Sequence, residues 1–152
     1  MFHTRPPRAQ RFALLDWAAK DNYSHAITLN TDRELTLPRV KDICSTFLHE
    51  IDRKMLGRRP DRADSHCRVR AILFPENLAT NAHLHGAMDL QQALRKVGSY
   101  SALDEMLEKL WRKATRGAGS ISLKEDFDRG WFTYCTKRFD GTFFLAADFH
   151  PH

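Results

Sequence analysis

The sequence is poor in cysteine and has no long apolar run. Its three cysteines are Cys44, Cys67 and Cys135, and no two of them have the C-x-x-C spacing. An odd count without that spacing argues against a disulfide framework or a cysteine-based zinc knuckle, and it favours a reducing compartment. No stretch approaches the ~18 apolar residues of a membrane helix, and no apolar segment follows the basic N-terminus. We therefore expect a cytoplasmic protein without a membrane partner.

Internal repeats and low-complexity tracts are also absent, and 152 residues correspond to about one domain. Hydrophobic residues make up 42% of the chain and aromatic residues 11%, which is enough for one real core and excludes a disordered or fibrous protein. Lysine and arginine number 24 against 19 acidic residues, a formal charge of +5. This balance permits a polyanionic partner without requiring one.

Two periodicities divide the chain into elements. Residues 1–22 are predicted to form an N-terminal arm and a short helix, and residues 23–152 the folded domain. Strand-like composition between turn residues predicts five strands, at 23–29, 67–74, 82–90, 120–123 and 142–146. Apolar residues three and four apart predict helices at 9–20, 38–57, 103–111 and 127–138. This order predicts an α+β fold in which an antiparallel sheet carries helices on one face.

The segment His83-Leu84-His85 is the first candidate for chemistry. On a strand, residues i and i+2 point to the same face, so both imidazoles project together about 7 Å apart. Glu76 is predicted on the neighbouring strand of a hairpin, and residues 71–94 contain no lysine or arginine. One carboxylate and two imidazoles suit Mg²⁺, Mn²⁺ or Zn²⁺ with open positions for a substrate. The alternative is two polar side chains on a solvated strand face.

The second candidate is the pair Tyr134 and Lys137. On a helix these residues share one face, whereas Phe132, Cys135 and Phe139 lie on an apolar face that can pack on the sheet. A tyrosine has a pKa near 10, so nucleophilic attack at neutral pH needs a base, a metal or a cation nearby. The alternative is an ordinary core aromatic residue beside a solvated lysine.

Taken in order, the strand segment Ile27-Thr28-Leu29-Asn30, the His-hydrophobic-His element and the Tyr-x-x-Lys element resemble the three motifs of the HUH endonucleases, in particular the single-tyrosine initiators (Rep proteins) of rolling-circle replication. The resemblance spans residues 23–147. It implies a central five-stranded antiparallel sheet of ferredoxin/RRM-like type flanked by helices. It also implies that His83, His85 and Glu76 bind Mg²⁺ or Mn²⁺ in preference to Zn²⁺, that Tyr134 is the nucleophile and that Lys137 orients the phosphate.

The same resemblance implies a function and its partners. Tyr134 would nick and rejoin single-stranded DNA at an origin or hairpin of a plasmid, phage or virus-like element, through a 5′-phosphotyrosine and a free 3′-OH. A viral source would place the protein in the host nucleus. No G-x-x-x-x-G-K-[ST] segment is present, so the helicase would be a separate protein or a C-terminal domain outside this chain. The first motif lacks the leading aromatic residue and trailing proline that viral members often have, and Arg138 stands where a second tyrosine would.

A basic loop and its flanks are predicted to contact DNA. The cations of this segment are Arg53, Lys54, Arg58, Arg59, Arg62, Arg68 and Arg70, and Arg68 and Arg70 are predicted to face one side of a strand. A merely solvated loop is the alternative. Two rival functions also stay open: a non-catalytic nucleic-acid-binding module, and a metal nuclease that uses activated water instead of Tyr134.

Overall fold

The computed structural model describes residues 8–64 and 67–149, so residues 1–7 of the predicted arm lie outside it. Within these ranges the α-helices are α1 (Arg8–Lys20), α2 (Leu37–Leu56), α3 (Gln91–Val97), α4 (Tyr100–Ala114) and α5 (Arg129–Cys135). The strands are β1 (His25–Asn30), β2 (Arg70–Glu76), β3 (His83–Asp89), β4 (Ser120–Lys124) and β5 (Phe144–Leu145). Short 3₁₀ turns occupy Pro60–Arg62 and Ala146–Phe149. In this part of the chain, no helix combines the length and apolar character that crossing a bilayer requires.

The strands form one sheet in the order β4-β1-β3-β2-β5, and every neighbouring pair is antiparallel. The predicted α+β class and the five-stranded antiparallel sheet flanked by helices are confirmed. The finer likeness to a ferredoxin or RRM sheet stays a prediction. The centre of the sheet is β3, between β1 and β2, so the histidine segment lies where two neighbours hold its backbone on both sides.

The prediction that helices lie on one face of the sheet is wrong. One core packs α2 and α4 on a face that includes Leu29 and Leu73, and a second core packs α1 and α5 on the opposite face around Phe74 and Ala87. The reason lies in the central strands, because Ala71 to Phe74 are consecutively buried and an apolar strand of this kind needs cover on both sides. The candidate site lies on the α1/α5 face.

Several helix boundaries differ from the predicted ones. Thr36 caps the start of α2, because its side chain accepts a hydrogen bond from Arg39 N (3.4 Å). Gly57, with φ +92°, ends the helix. The sequence pattern missed α3, which Gly98 ends in a left-handed conformation immediately before Ser99 caps α4. The helix predicted at 127–138 is shorter, since Asp128 caps its start and it ends at Cys135.

Gly86 follows the histidine segment directly and sets how closely β3 approaches β2. A Cβ atom at this position would overlap the Ile72 carbonyl oxygen on β2, which is backbone and cannot rotate away. We expect Gly86→Ala to lower the free energy of unfolding by about 1–3 kcal/mol, the usual cost of overpacking a core. Chemical denaturation measures this change.

Gly130→Ala in α5 is the matched control for that substitution. There the nearest atom to a new Cβ is the carboxylate end of Asp128, which can move, and alanine favours the helix. Equal stability of the Gly86→Ala protein and the wild type would show that β2 and β3 can separate without cost.

Candidate metal centre

Three potential metal ligands converge where β2 ends and β3 begins. Glu76 is the last residue of β2 and pairs in register with His83, the first residue of β3. His85 lies two residues further along β3 and therefore points to the same face. The three side chains are largely buried, with exposed fractions of 9% for Glu76, 14% for His83 and 9% for His85. The sequence pattern alone correctly predicted that Glu76 lies on the strand next to the two histidines.

The distances in this cluster fit a shared cation. Glu76 Oε2 lies 3.4 Å from His83 Nε2 and 3.4 Å from His85 Nε2, and it is a buried oxygen without a hydrogen-bond partner. A charge-assisted hydrogen bond between a histidine and a carboxylate is shorter, about 2.7–2.9 Å. Metal–ligand bonds of ~2.0–2.2 Å allow one ion to contact atoms at the observed separation. The group of Glu76, His83 and His85 could therefore hold a metal ion.

Both imidazoles use the other ring nitrogen for a contact with the protein. His83 Nδ1 lies 2.9 Å from the carbonyl oxygen of Asn81, which can only accept, so Nδ1 is the donor and the contact leaves Nε2 facing Glu76. His85 Nδ1 lies 3.1 Å from Thr28 Oγ1 on β1. Burial, reinforced by the neighbouring His83, lowers the pKa of His85 and favours its neutral form, the form that binds metals.

Thr28 was part of the first sequence motif but had no predicted role, and the structure places it beside a ligand. We expect Thr28→Val to weaken metal binding by about 10- to 100-fold, because its hydroxyl orients the His85 ring. Calorimetric titration with Mn²⁺ measures the affinity. Thr28→Ser, which keeps the hydroxyl, is expected to bind as the wild type does. If the valine variant bound Mn²⁺ with unchanged affinity, the hydroxyl would have no orienting role.

The second oxygen of Glu76 is held from the segment after α5. Arg138 Nε lies 3.7 Å from Glu76 Oε1, and Arg138 Nη1 donates a hydrogen bond of 3.0 Å to Asn77 Oδ1. Arg138 thus leaves Oε2 directed at the histidines. Sequence reasoning missed this role, because no local spacing connects residue 138 with residue 76.

Tyr134 lies beside the histidines on α5. Phe132 and Cys135 are buried on the sheet side of this helix, whereas Tyr134 is 45% exposed. The Tyr134 ring meets the His85 ring edge to face, with centroids 5.2 Å apart. The structure therefore brings together the Tyr-x-x-Lys element and the His-hydrophobic-His element, although 48 residues lie between His85 and Tyr134 in the sequence.

Trp131 fixes α5 against the strand that carries the histidines. Its indole N–H donates a hydrogen bond of 2.7 Å to the carbonyl oxygen of Gly86. The same ring stacks on Tyr134 with centroids 5.5 Å apart and meets His85 edge to face. Trp131 is half-buried and packs against the core that α1 and α5 form with the sheet.

Lys137 follows the end of α5, and its Nζ lies 4.4 Å from the centroid of the Tyr134 ring. The ammonium group therefore contacts the face of the ring in a cation–π arrangement. It brings a positive charge to the edge of the cluster, where an anionic substrate would meet it. The predicted closeness of the phenol and the lysine is present, although the helix itself has ended.

The predicted strand geometry of Arg68 and Arg70 is wrong. Because β2 begins at Arg70, Arg68 precedes the strand, where it is buried and donates to the Pro60 carbonyl (3.1 Å) near the buried Asp52. Arg70 is engaged by Asp21 at 2.7 Å and by Asp89 at 3.9 Å. Burial of Arg68 argues against a DNA contact for that residue, whereas the Arg70 side chain is 40% exposed beside its acidic partners, so its role in DNA binding stays a prediction.

Arg58, Arg59 and Arg62 are exposed, but the structure does not bring them to the cluster. The contact between Arg68 and Pro60 places this loop at the start of β2, and Glu76 lies six residues further along the strand. That spacing corresponds to about 20 Å. A role for these three arginines in DNA binding stays a prediction.

Comparison of the chain with family models, curated proteins and solved structures gives no match. The proposed function therefore rests on the geometry of the candidate site.

Proposed function

We propose that the protein is a metal-dependent enzyme that nicks and rejoins single-stranded DNA, with Tyr134 as the nucleophile. The observation that supports this function is the contact between Tyr134 and His85, because it sets an exposed phenol beside a cluster able to hold a cation. A structural tyrosine would gain from burial, whereas Tyr134 is 45% exposed. A phenol, a metal site and a lysine suit attack on a phosphodiester.

The proposed reaction is a transesterification in which the number of phosphodiester bonds is unchanged. The Tyr134 oxygen bonds to the scissile phosphorus, the bond from phosphorus to the 3′ oxygen breaks, and the proton lost by the phenol is balanced by one gained at the 3′-OH. The products are a 5′-phosphotyrosine and a free 3′ end. Reversal of these steps joins the strand.

His83, His85 and Glu76 would hold Mg²⁺ or Mn²⁺, which would supply Lewis acidity at the phosphate oxygens when bound. The carboxylate oxygen suits these ions, and the preference for them over Zn²⁺, which the two imidazoles would also suit, follows from the resemblance to the HUH endonucleases. Lys137 adds a positive charge near the attacking ring, where it attracts the phosphate. Trp131 holds the tyrosine in place through its stacking contact.

We propose that the DNA strand crosses the part of the sheet beside the cluster. Ser120, Ser122 and Lys124 of β4 are exposed and pair with Asn30, Thr28 and Ala26 of β1. Paired residues share a face of the sheet, so these polar side chains lie on the same face as His85. Replication initiation on a plasmid, phage or virus-like element, with a separate helicase, is the biological role that we propose with this chemistry.

Incubation of the protein with Mn²⁺ and a pool of single-stranded oligonucleotides tests the proposed function. We expect a protein–DNA adduct that survives denaturing electrophoresis and disappears when a chelator is added. Peptide mapping of the adduct should locate the nucleotide on Tyr134 and not on Tyr23 or Tyr100. Cleavage without an adduct would instead assign the cluster to hydrolysis by activated water. Oligonucleotide binding without cleavage would identify a non-catalytic binding module.

A further inference from the structure

A cleft of about 730 Å³ lies between α2 and α4, on the face of the sheet opposite the metal centre. Its apolar floor consists of Val97, Ala102, Met106 and Leu110. We propose that this cleft binds an acidic amphipathic helix of a partner protein. The inference does not depend on the chemistry of Tyr134.

The charge of the cleft selects an acidic partner. Five cations line it against two carboxylates, Glu50 and Glu105. Glu50 pairs with Arg53 at 3.1 Å and Lys113 at 3.2 Å, and Glu105 pairs with Lys109 at 3.4 Å. The cleft therefore keeps a positive excess, and Lys54 and Arg58 are the lining cations that pair with neither carboxylate.

The arrangement of the charges selects the shape of the partner. Arg53, Lys54 and Arg58 come from the α2 side, whereas Lys109 and Lys113 share the α4 side with Glu105, so the α2 border of the apolar floor is the more positive one. A helix with one apolar stripe and acidic residues along the edge of that stripe that faces α2 matches this pattern. The lining of α4 runs from Ala102 to Lys113, about 16 Å, which corresponds to roughly three helical turns.

One feature of the cleft disfavours a nucleic acid. The described residues that line it include no aromatic side chain on which a base could stack.

Fluorescence anisotropy with labelled synthetic peptides tests the proposal. The probe is a peptide of about 16 residues with leucines at helical spacing and glutamates along one side of the leucine stripe. We expect saturable binding that weakens as salt is added. A peptide with lysine in place of each glutamate, and one with serine in place of each leucine, should both fail to bind.

The variant Lys54→Glu/Arg58→Glu is expected to bind the acidic peptide about tenfold more weakly, because it reverses two charges at the rim. Lys20→Glu/Lys41→Glu makes the same charge change at exposed positions outside the cleft and should bind as the wild type does. Equal binding by the wild type and the Lys54→Glu/Arg58→Glu protein would overturn the proposal. So would an oligonucleotide that binds in place of the peptide and is lost in this variant, or a dimer that this variant dissociates.

Discussion

Replacing Tyr134 with phenylalanine is expected to abolish formation of the covalent DNA adduct, with a loss of at least about a thousandfold in rate. Phenylalanine keeps the ring that meets His85 and stacks on Trp131, and it removes only the oxygen that would bond to phosphorus. The protein should therefore fold normally and still bind metal. Denaturing electrophoresis after incubation with Mn²⁺ and single-stranded DNA measures the loss.

Tyr100→Phe is the matched control, because Tyr100 lies on α4 and contacts His25 instead of the metal cluster. This variant should form the adduct at the rate of the wild type. Retention of the adduct by Tyr134→Phe would contradict the proposed nucleophile and direct attention to another group.

Replacing Glu76 with glutamine is expected to weaken metal binding by about a hundredfold or more and to abolish adduct formation. The substitution is nearly isosteric and removes the charge that draws a cation between the two imidazoles. Because a ligand that binds only the folded state stabilises it, Mn²⁺ should raise the melting temperature of the wild type, and this increase should vanish in Glu76→Gln. Thermal unfolding with and without Mn²⁺ measures the effect.

Thermal unfolding with Mn²⁺, compared with adduct formation, distinguishes a metal ligand from the nucleophile. Tyr134→Phe should keep the stabilisation by Mn²⁺ while losing the adduct, whereas Glu76→Gln should lose both. Without metal, the glutamine variant should be at least as stable as the wild type, because it no longer buries a carboxylate oxygen that lacks a hydrogen bond. Glu108→Gln, at an exposed position on α4, is the control for loss of a carboxylate. An unchanged Mn²⁺ response in Glu76→Gln would exclude Glu76 as a ligand.

Much of the fold follows from local patterns. The apolar spacing of α2 and the turn residues after β1 sufficed to predict both elements, because amphipathic periodicity and turn chemistry act over a few residues. Helix α3 was missed, since its seven residues, Gln91–Val97, are too few to show a helical periodicity. The positions of helices on both faces were missed for a different reason. Burial of a strand on two sides depends on the whole sheet.

In the candidate site, too, some features follow from the sequence and others only from the tertiary structure. The spacing of His83 and His85 on one strand determined that their side chains share a face, and the hairpin brought Glu76 to them. Only the tertiary structure decided that Thr28 lies beside His85, that Arg138 lies beside Glu76 and that the arginine loop lies far from the cluster. The physical reason is range: alternation along a strand is set by the backbone of neighbouring residues, whereas contacts between distant segments depend on how the helices pack against the sheet.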